Sequence, residues 1–220
     1  MAAFIFDLDG TLVDTAYAHV SAWQQALHEA GLEVDAWRIH RRIGMSGGLL
    51  LHALSDELDC QVTSDQAQKI DHRHCELFRQ TRAQCRPLRG AVKLLRYLKE
   101  QLIPFGIATS GTRPGIDPSL KCLGIEEGVV VVTGKKVSHP KPEPDALLAC
   151  QQQLGAEKED CFVVGDAVWD LLAAGRARMF SIGLLSGGYG ATELFEAGAY
   201  RVFSDPAHLQ ESLYQLGIGT

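Results

Sequence analysis

The sequence predicts an α/β fold, a doubly wound parallel sheet core with an inserted α-helical cap, and three observations lead there. Short apolar runs, each closed by glycine or a small polar residue, recur along the chain; helix-period segments alternate with them; and one long stretch near the N-terminus has helical patterns and no convincing strand. Alternating strands and helices imply parallel strands with helices on both faces, because each helix serves as the crossover returning the chain to the sheet.

The elements follow in order. Residues 2–6 are aromatic and branched and halt at Asp7 and Gly10, which reads as a buried strand ending in a loop. Residues 15–82 break the alternation with helical patterns over 16–30, 36–42, 49–58 and 64–81, and are taken as the cap. The chain rejoins the core near 82–87, where Pro87-Leu88-Arg89-Gly90 punctuates it, so that 1–14 and 83–220 form the core. A helix over 90–101 then leads to strands over 103–108 and 129–132, ending at Thr109-Ser110-Gly111 and Thr133-Gly134. A helix over 145–154, a strand over 161–164 ending at Gly165-Asp166, a helix over 171–178 and a strand over 179–182 complete the alternation. Ser186-Gly187-Gly188-Tyr189-Gly190 lacks the spacing of a nucleotide loop and reads as a flexible connector. Asp205-Pro206 reads as an N-cap followed by proline at the first position of the last helix.

A chain of 220 residues, 46% of them hydrophobic, buries about 70% of its extended-chain surface and folds alone. A formal charge of −6 argues against nucleic acid or an anionic membrane as partner, since phosphate backbones bind chiefly through Lys and Arg. The six cysteines show no C-x-x-C spacing and are expected reduced. The N-terminal apolar run has no basic region before it and is interrupted by Asp7 and Asp9, and no segment reaches about 18 apolar residues, so a soluble cytoplasmic protein is expected.

Several polar residues fall just after strands, where open α/β sheets place their ligands. Asp7 and Asp9, two positions apart where Gly10 permits a turn, can face one ligand, although a turn or helix-cap pair would look the same. The ordered set Asp7-Leu8-Asp9-Gly10-Thr11, Thr109-Ser110, Lys141-Pro142-Glu143-Pro144-Asp145 and Gly165-Asp166-Ala167-Val168-Trp169-Asp170 goes further. It closely resembles the haloacid dehalogenase-like (HAD) superfamily, whose four signatures here span residues 7 to 170 and whose Rossmann-like core and cap extend the likeness over essentially the whole chain.

The resemblance implies an Mg2+-dependent phosphatase acting on a small phosphorylated metabolite, such as phosphoglycolate or a sugar phosphate, as a monomer or weak homodimer. Asp7 would attack phosphorus to form an aspartyl-phosphate, while Asp9 would protonate the leaving alcohol and then activate water. Asp7, Asp166 and the backbone carbonyl of Asp9 would hold the metal, with Asp170 nearby, acting through water. Thr109 and the Ser110 backbone would bind phosphoryl oxygens, Lys141 would balance their charge, and Thr11 of the first motif would join the substrate contacts.

Dehalogenases of the superfamily generally lack the second aspartate, so Asp9 favours phosphate over halide. Asp14 to Trp23 looks like the corresponding segment of β-phosphoglucomutases, whose matching histidine assists the acid/base aspartate; His19 either does this or packs at the junction. Those mutases carry an arginine for a second phosphate just after the serine of the cap loop, whereas Ser46 is followed here by Gly47, which favours hydrolysis, with Arg42 as a possible replacement grip. A non-catalytic phosphoryl-binding regulator would place its acceptor aspartate mid-chain and have no cap. Arg38, His40, Arg41 and Arg42 form a basic patch read as a solvated helix face, and His72 and His74, two apart on a helix, receive no function.

Overall fold

A computed structural model describes residues 2–80, 85–125 and 127–218. Six strands form one parallel sheet in the order β3-β2-β1-β4-β5-β6: β1 (Ala3–Phe6), β2 (Phe105–Thr109), β3 (Val130–Thr133), β4 (Cys161–Gly165), β5 (Phe180–Leu184) and β6 (Arg201–Phe203). The chain builds outward from β1 on one side and then returns to its other side, so the strand order reverses between β1 and β4. At such a switch point the loops diverge and leave a crevice at the carboxyl ends.

Every residue of β1 is buried, because both sheet faces are covered. Phe4 and Phe6 pack on one face with Ile107, Val164 and Ile182 against Leu94 and Leu98 of α5 (Ala91–Glu100) and Leu209 of α10 (Pro206–Glu211). Ala3 and Ile5 face the other way, onto Leu147 and Cys150 of α7 (Asp145–Leu154) and Ala173 and Ala174 of α8 (Val168–Ala177). The short helices α6 (Asp117–Cys122) and α9 (Ala191–Glu196) complete the core layers. At α10, Asp205 Oδ1 accepts from the backbone N–H of His208 at 2.8 Å and Pro206 opens the helix, as its sequence predicts.

Between β1 and α5 lie α1 (Ala16–Glu29), α2 (Ala36–His40), α3 (Gly47–Glu57) and α4 (Ser64–Gln80), with no strand among the described residues. They bury a core of their own, including Trp23, Leu27, Ile39, Leu50, Leu54, Ile70 and Leu77. The last residue of the predicted fourth cap helix and most of the expected return to the core, residues 81–84, lie outside the described residues.

Three expectations change. The edge strand β6 has only three residues, one of them an exposed arginine, too little to register as an apolar run. Helix α8 begins at Val168 rather than 171, because the Asp170 carboxylate accepts from the Ala167 N–H at 3.2 Å and caps an earlier start. The predicted flexible connector at 186–190 is instead tied down: Ser186 Oγ donates to Gly10 O at 2.7 Å, and Tyr189 is buried with its hydroxyl on Arg41 O at 2.8 Å.

Candidate active site

The carboxyl end of β1 delivers Asp7 directly from the sheet, held by its backbone N–H on Val164 O at 2.9 Å. Gly10 then turns the chain with φ +84°, and a side chain there would collide with Asp166. Asp166 arrives from the end of β4 and Thr109 from the end of β2, so the central strands converge on the switch-point crevice.

Lys141 enters from the loop before α7 and is fully buried. Its Nζ donates to Asp7 Oδ1 at 2.6 Å and Ala108 O at 3.0 Å, and lies 2.7 Å from Asp170 Oδ1. Burial alone would lower its pKa, but Asp170 and Asp7 reverse that and keep the ammonium charged. The Lys141 contact leaves the second oxygen of Asp7 for other chemistry.

Asp7, Asp166 and Asp170 are all buried, with oxygens within 4.8 Å of one another. Three carboxylates against one ammonium leave negative charge in excess. Burial pushes Asp7 up to about 7 despite Lys141, with Asp170 adding to the rise. Burial, then the neighbouring carboxylates, push Asp166 well above the ordinary carboxylate range. A hard divalent cation would relieve this excess with the oxygen donors it prefers, so the residues fit such an ion.

Asp9 is different. Its Oδ1 accepts from Thr15 Oγ1 at 2.6 Å and lies 3.5 Å from His19 Nε2. Burial raises its pKa, but the charge and hydrogen bond of His19, with Thr15 and then Lys141, outweigh that and hold it below its ordinary value. One strand end thus carries two carboxylates with opposite shifts.

Some expected site residues are used otherwise. Thr11, expected on the substrate, is fully buried and donates its hydroxyl to Asp166 Oδ1 at 2.5 Å, orienting that carboxylate. Arg42, expected as a phosphate grip, pairs with Glu57 and donates to Arg38 O at 2.8 Å. The basic patch is likewise no free solvated face, since Arg38 also pairs with Glu57 and Arg41 with Glu193 at 2.7 Å. Thr109 is buried with Oγ1 accepting from the Gly111 N–H at 3.0 Å, and Ser110 Oγ donates to Gly44 O, in the loop after α2, at 2.7 Å.

Two features escaped sequence reading. His74 is buried with Nε2 3.0 Å from Nδ1 of His19; its local signal is the spacing to Phe78, one turn on, rather than to His72. Gly187 sits so close to Asp166 that a side chain would overlap it, which makes the 185–187 turn a wall of the site.

Asp7, Asp166, Asp170 and the buried Lys141 thus form one charged cluster at the switch point of an α/β sheet, a site suited to binding a phosphoryl group with a cation. Residues 4–184 match the family described as haloacid dehalogenase-like hydrolase; the chain belongs to it and is a phosphoric monoester hydrolase. It is 35% identical over 178 residues to hexitol phosphatase A of Escherichia coli (strain K12), covering 78% of this chain and 79% of that one. It is 29% identical over 194 residues to a β-phosphoglucomutase of Bacillus subtilis (strain 168), covering 85% and 84%. The crystal structure of a hydrolase from Pseudomonas syringae superimposes with TM-score 0.96 at 42% identity, over 100% of both chains.

Proposed function

We propose that the chain is an Mg2+-dependent phosphatase of small phosphorylated metabolites, of the sugar phosphate or phosphoglycolate type, working through an aspartyl-phosphate on Asp7. The observation that carries this is the contrast between Asp7, facing Lys141 and the carboxylate cluster, and Asp9, facing Thr15 and His19. The geometry separates the two roles: Lys141 tethers Asp7 on Oδ1 among the cluster, while Thr15 and His19 hold Asp9 by its own Oδ1 away from it.

In this reading the free oxygen of Asp7 attacks phosphorus, the bond to the ester oxygen breaks, and Asp9 gives its proton to the leaving alkoxide. Asp9 then takes a proton from water as that water attacks the aspartyl-phosphate, releasing phosphate and restoring Asp7. Lys141 holds Asp7 in place and balances charge. Asp7, Asp166 and the Asp9 carbonyl would hold Mg2+, with Asp170 behind them through water; when bound, the ion neutralises phosphoryl oxygens.

The mutase reading needs a grip on a second phosphate. A side chain at Gly47 would collide with the Asp71 carboxylate, and Arg42 is already paired, which supports water as final acceptor. The hexitol phosphatase relative favours a polyol or sugar phosphate.

The test is phosphate release from a panel of esters, with and without Mg2+, for wild type and Asp7→Asn. Release that needs Mg2+ and is lost in Asp7→Asn is expected. No release from any ester, or full activity in Asp7→Asn, refutes the proposal, and glucose 6-phosphate formed from β-glucose 1-phosphate would establish the mutase instead.

A further inference from the structure

We propose that His74 is a positioning residue for the proton-transfer machinery: through its Nε2 it fixes the ring of His19 so that His19 Nε2 faces Asp9. The inference rests on the phosphatase reading above, in which Asp9 exchanges the proton.

Two helices supply the parts. His19 and Trp23 stand one turn apart on α1, and His74 and Phe78 one turn apart on α4, so each pair shares a helix face. The faces interlock crosswise. His19 stacks on Phe78 with centroids 3.8 Å apart, and His74 stacks on Trp23 at 4.1 Å with planes 8° apart. These stacks leave each ring free to shift only in its own plane, and there the bond between His19 Nδ1 and His74 Nε2, at 3.0 Å, sets the rotation.

An imidazole has two ring nitrogens. Whichever ring donates in the pair, Nδ1 of His19 is consumed by His74, and Nε2 is the nitrogen left for Asp9, 3.5 Å from Oδ1. Thr15 reaches the same oxygen. Both contacts therefore fall on Oδ1, and no bond to Oδ2 occurs among the described residues, which leaves Oδ2 for the proton that moves. His74 itself is almost wholly enclosed; its remaining nitrogen, Nδ1, lies 4.0 Å from Cys75 Sγ, so His19 is its principal polar partner. Packing alone would be served by a phenyl ring, whereas a buried imidazole costs desolvation that the His19 bond offsets.

The test compares His74→Phe, which keeps the stack on Trp23 and loses the bond, with His74→Gln, whose amide reaches the place of Nε2. Each full-length variant is assayed with Mg2+ on an alkyl ester (glucose 6-phosphate) and on p-nitrophenyl phosphate, reading kcat/KM, which reports transfer to Asp7. An alkoxide must be protonated as it leaves, whereas p-nitrophenolate leaves without an acid. His74→Phe is expected to lower kcat/KM on the alkyl ester about tenfold, a fraction of what a general acid contributes, and to change p-nitrophenyl phosphate by about twofold or less. His74→Gln is expected to recover most of the loss. An equal fall on both esters, no fall on either, or no recovery in His74→Gln overturns the positioning role. If wild type hydrolyses neither ester, the alkyl ester is replaced by one that the panel above shows to be cleaved, and a wild type that cleaves none of the panel refutes the phosphatase reading instead. The ring nitrogen 15N shifts of His19 then still decide the geometry, since shifts unchanged by His74→Phe refute it and altered shifts support it.

Discussion

Replacing Lys141 by Met should destabilise the metal-free protein strongly near neutral pH and far less in mild acid. The substitution keeps the stem's apolar volume and removes only the ammonium, which meets Asp7 Oδ1 at 2.6 Å and Asp170 Oδ1 at 2.7 Å with all three side chains buried. Breaking a buried pair leaves an uncompensated charge and costs about 3–5 kcal/mol. For a chain of this size each kcal/mol moves Tm by about 2–4 °C, so the expected fall at pH 7.5 in EDTA is about 6–20 °C. Asp7 already titrates at about 7 with the ammonium present, and removing a cation moves it higher. At pH 5 Asp7 is therefore protonated in the variant, its charge is gone, and the Tm deficit should shrink to less than half. Circular-dichroism melts at the two pH values, with EDTA in both, make the measurement. A deficit under about 2 °C at pH 7.5, or one as large at pH 5, would show that Lys141 does not neutralise this cluster.

Two further outcomes are expected. The folded pKa of Asp7, about 7, lies above the ordinary 3.8, so its folded form holds the proton more tightly and its contribution to stability is complete below about pH 4 and lost as pH rises to 7. In EDTA, wild type should thus lose up to about 4 kcal/mol relative to Asp7→Asn across that window, taking 1.36 kcal/mol per unit; denaturant melts in which the difference stays flat would contradict the shift. Thr11→Val removes the hydroxyl on Asp166 at nearly constant volume and should raise the Mg2+ concentration for half-maximal activity about 10–100-fold, and an unchanged Mg2+ titration would sink the orienting role.

What the sequence made legible is what local order encodes. Strand β1 announces itself by continuous apolar residues, and Asp7, Asp9, Lys141 and Asp166 sit at fixed places relative to strands and prolines. Pairings across the chain are not encoded that way. Thr11 looks like part of a phosphate motif until folding places Asp166, 155 positions on, at its hydroxyl. Arg42 looks like a free cation until Glu57 folds back on it from α3. His74 has His72 as its neighbour in sequence, but its partners His19 and Trp23 lie on another helix. The glycines of 186–190 suggested flexibility, yet Gly187 is small because Asp166 leaves no room for a side chain.

That last loop also joins the two halves of the molecule. Gly187 packs against Asp166, and its carbonyl lies 2.7 Å from His40 Nε2 at the end of α2. Two residues on, the Tyr189 hydroxyl donates to Arg41 O, which also accepts from Trp169 Nε1 at 3.1 Å, one residue before Asp170. On the opposite side Ser110, next to Thr109, holds Gly44. The contacts that dock α2 and its following loop therefore come from the same segments that seat Asp166, Asp170 and Thr109. Displacing α2 and its following loop would strip partners from the walls of the carboxylate site, and displacing α1 would separate His19 from Asp9. Both kinds of contact tie the arrangement of charges at the β-strand ends to the position of α1, α2 and the loop after α2.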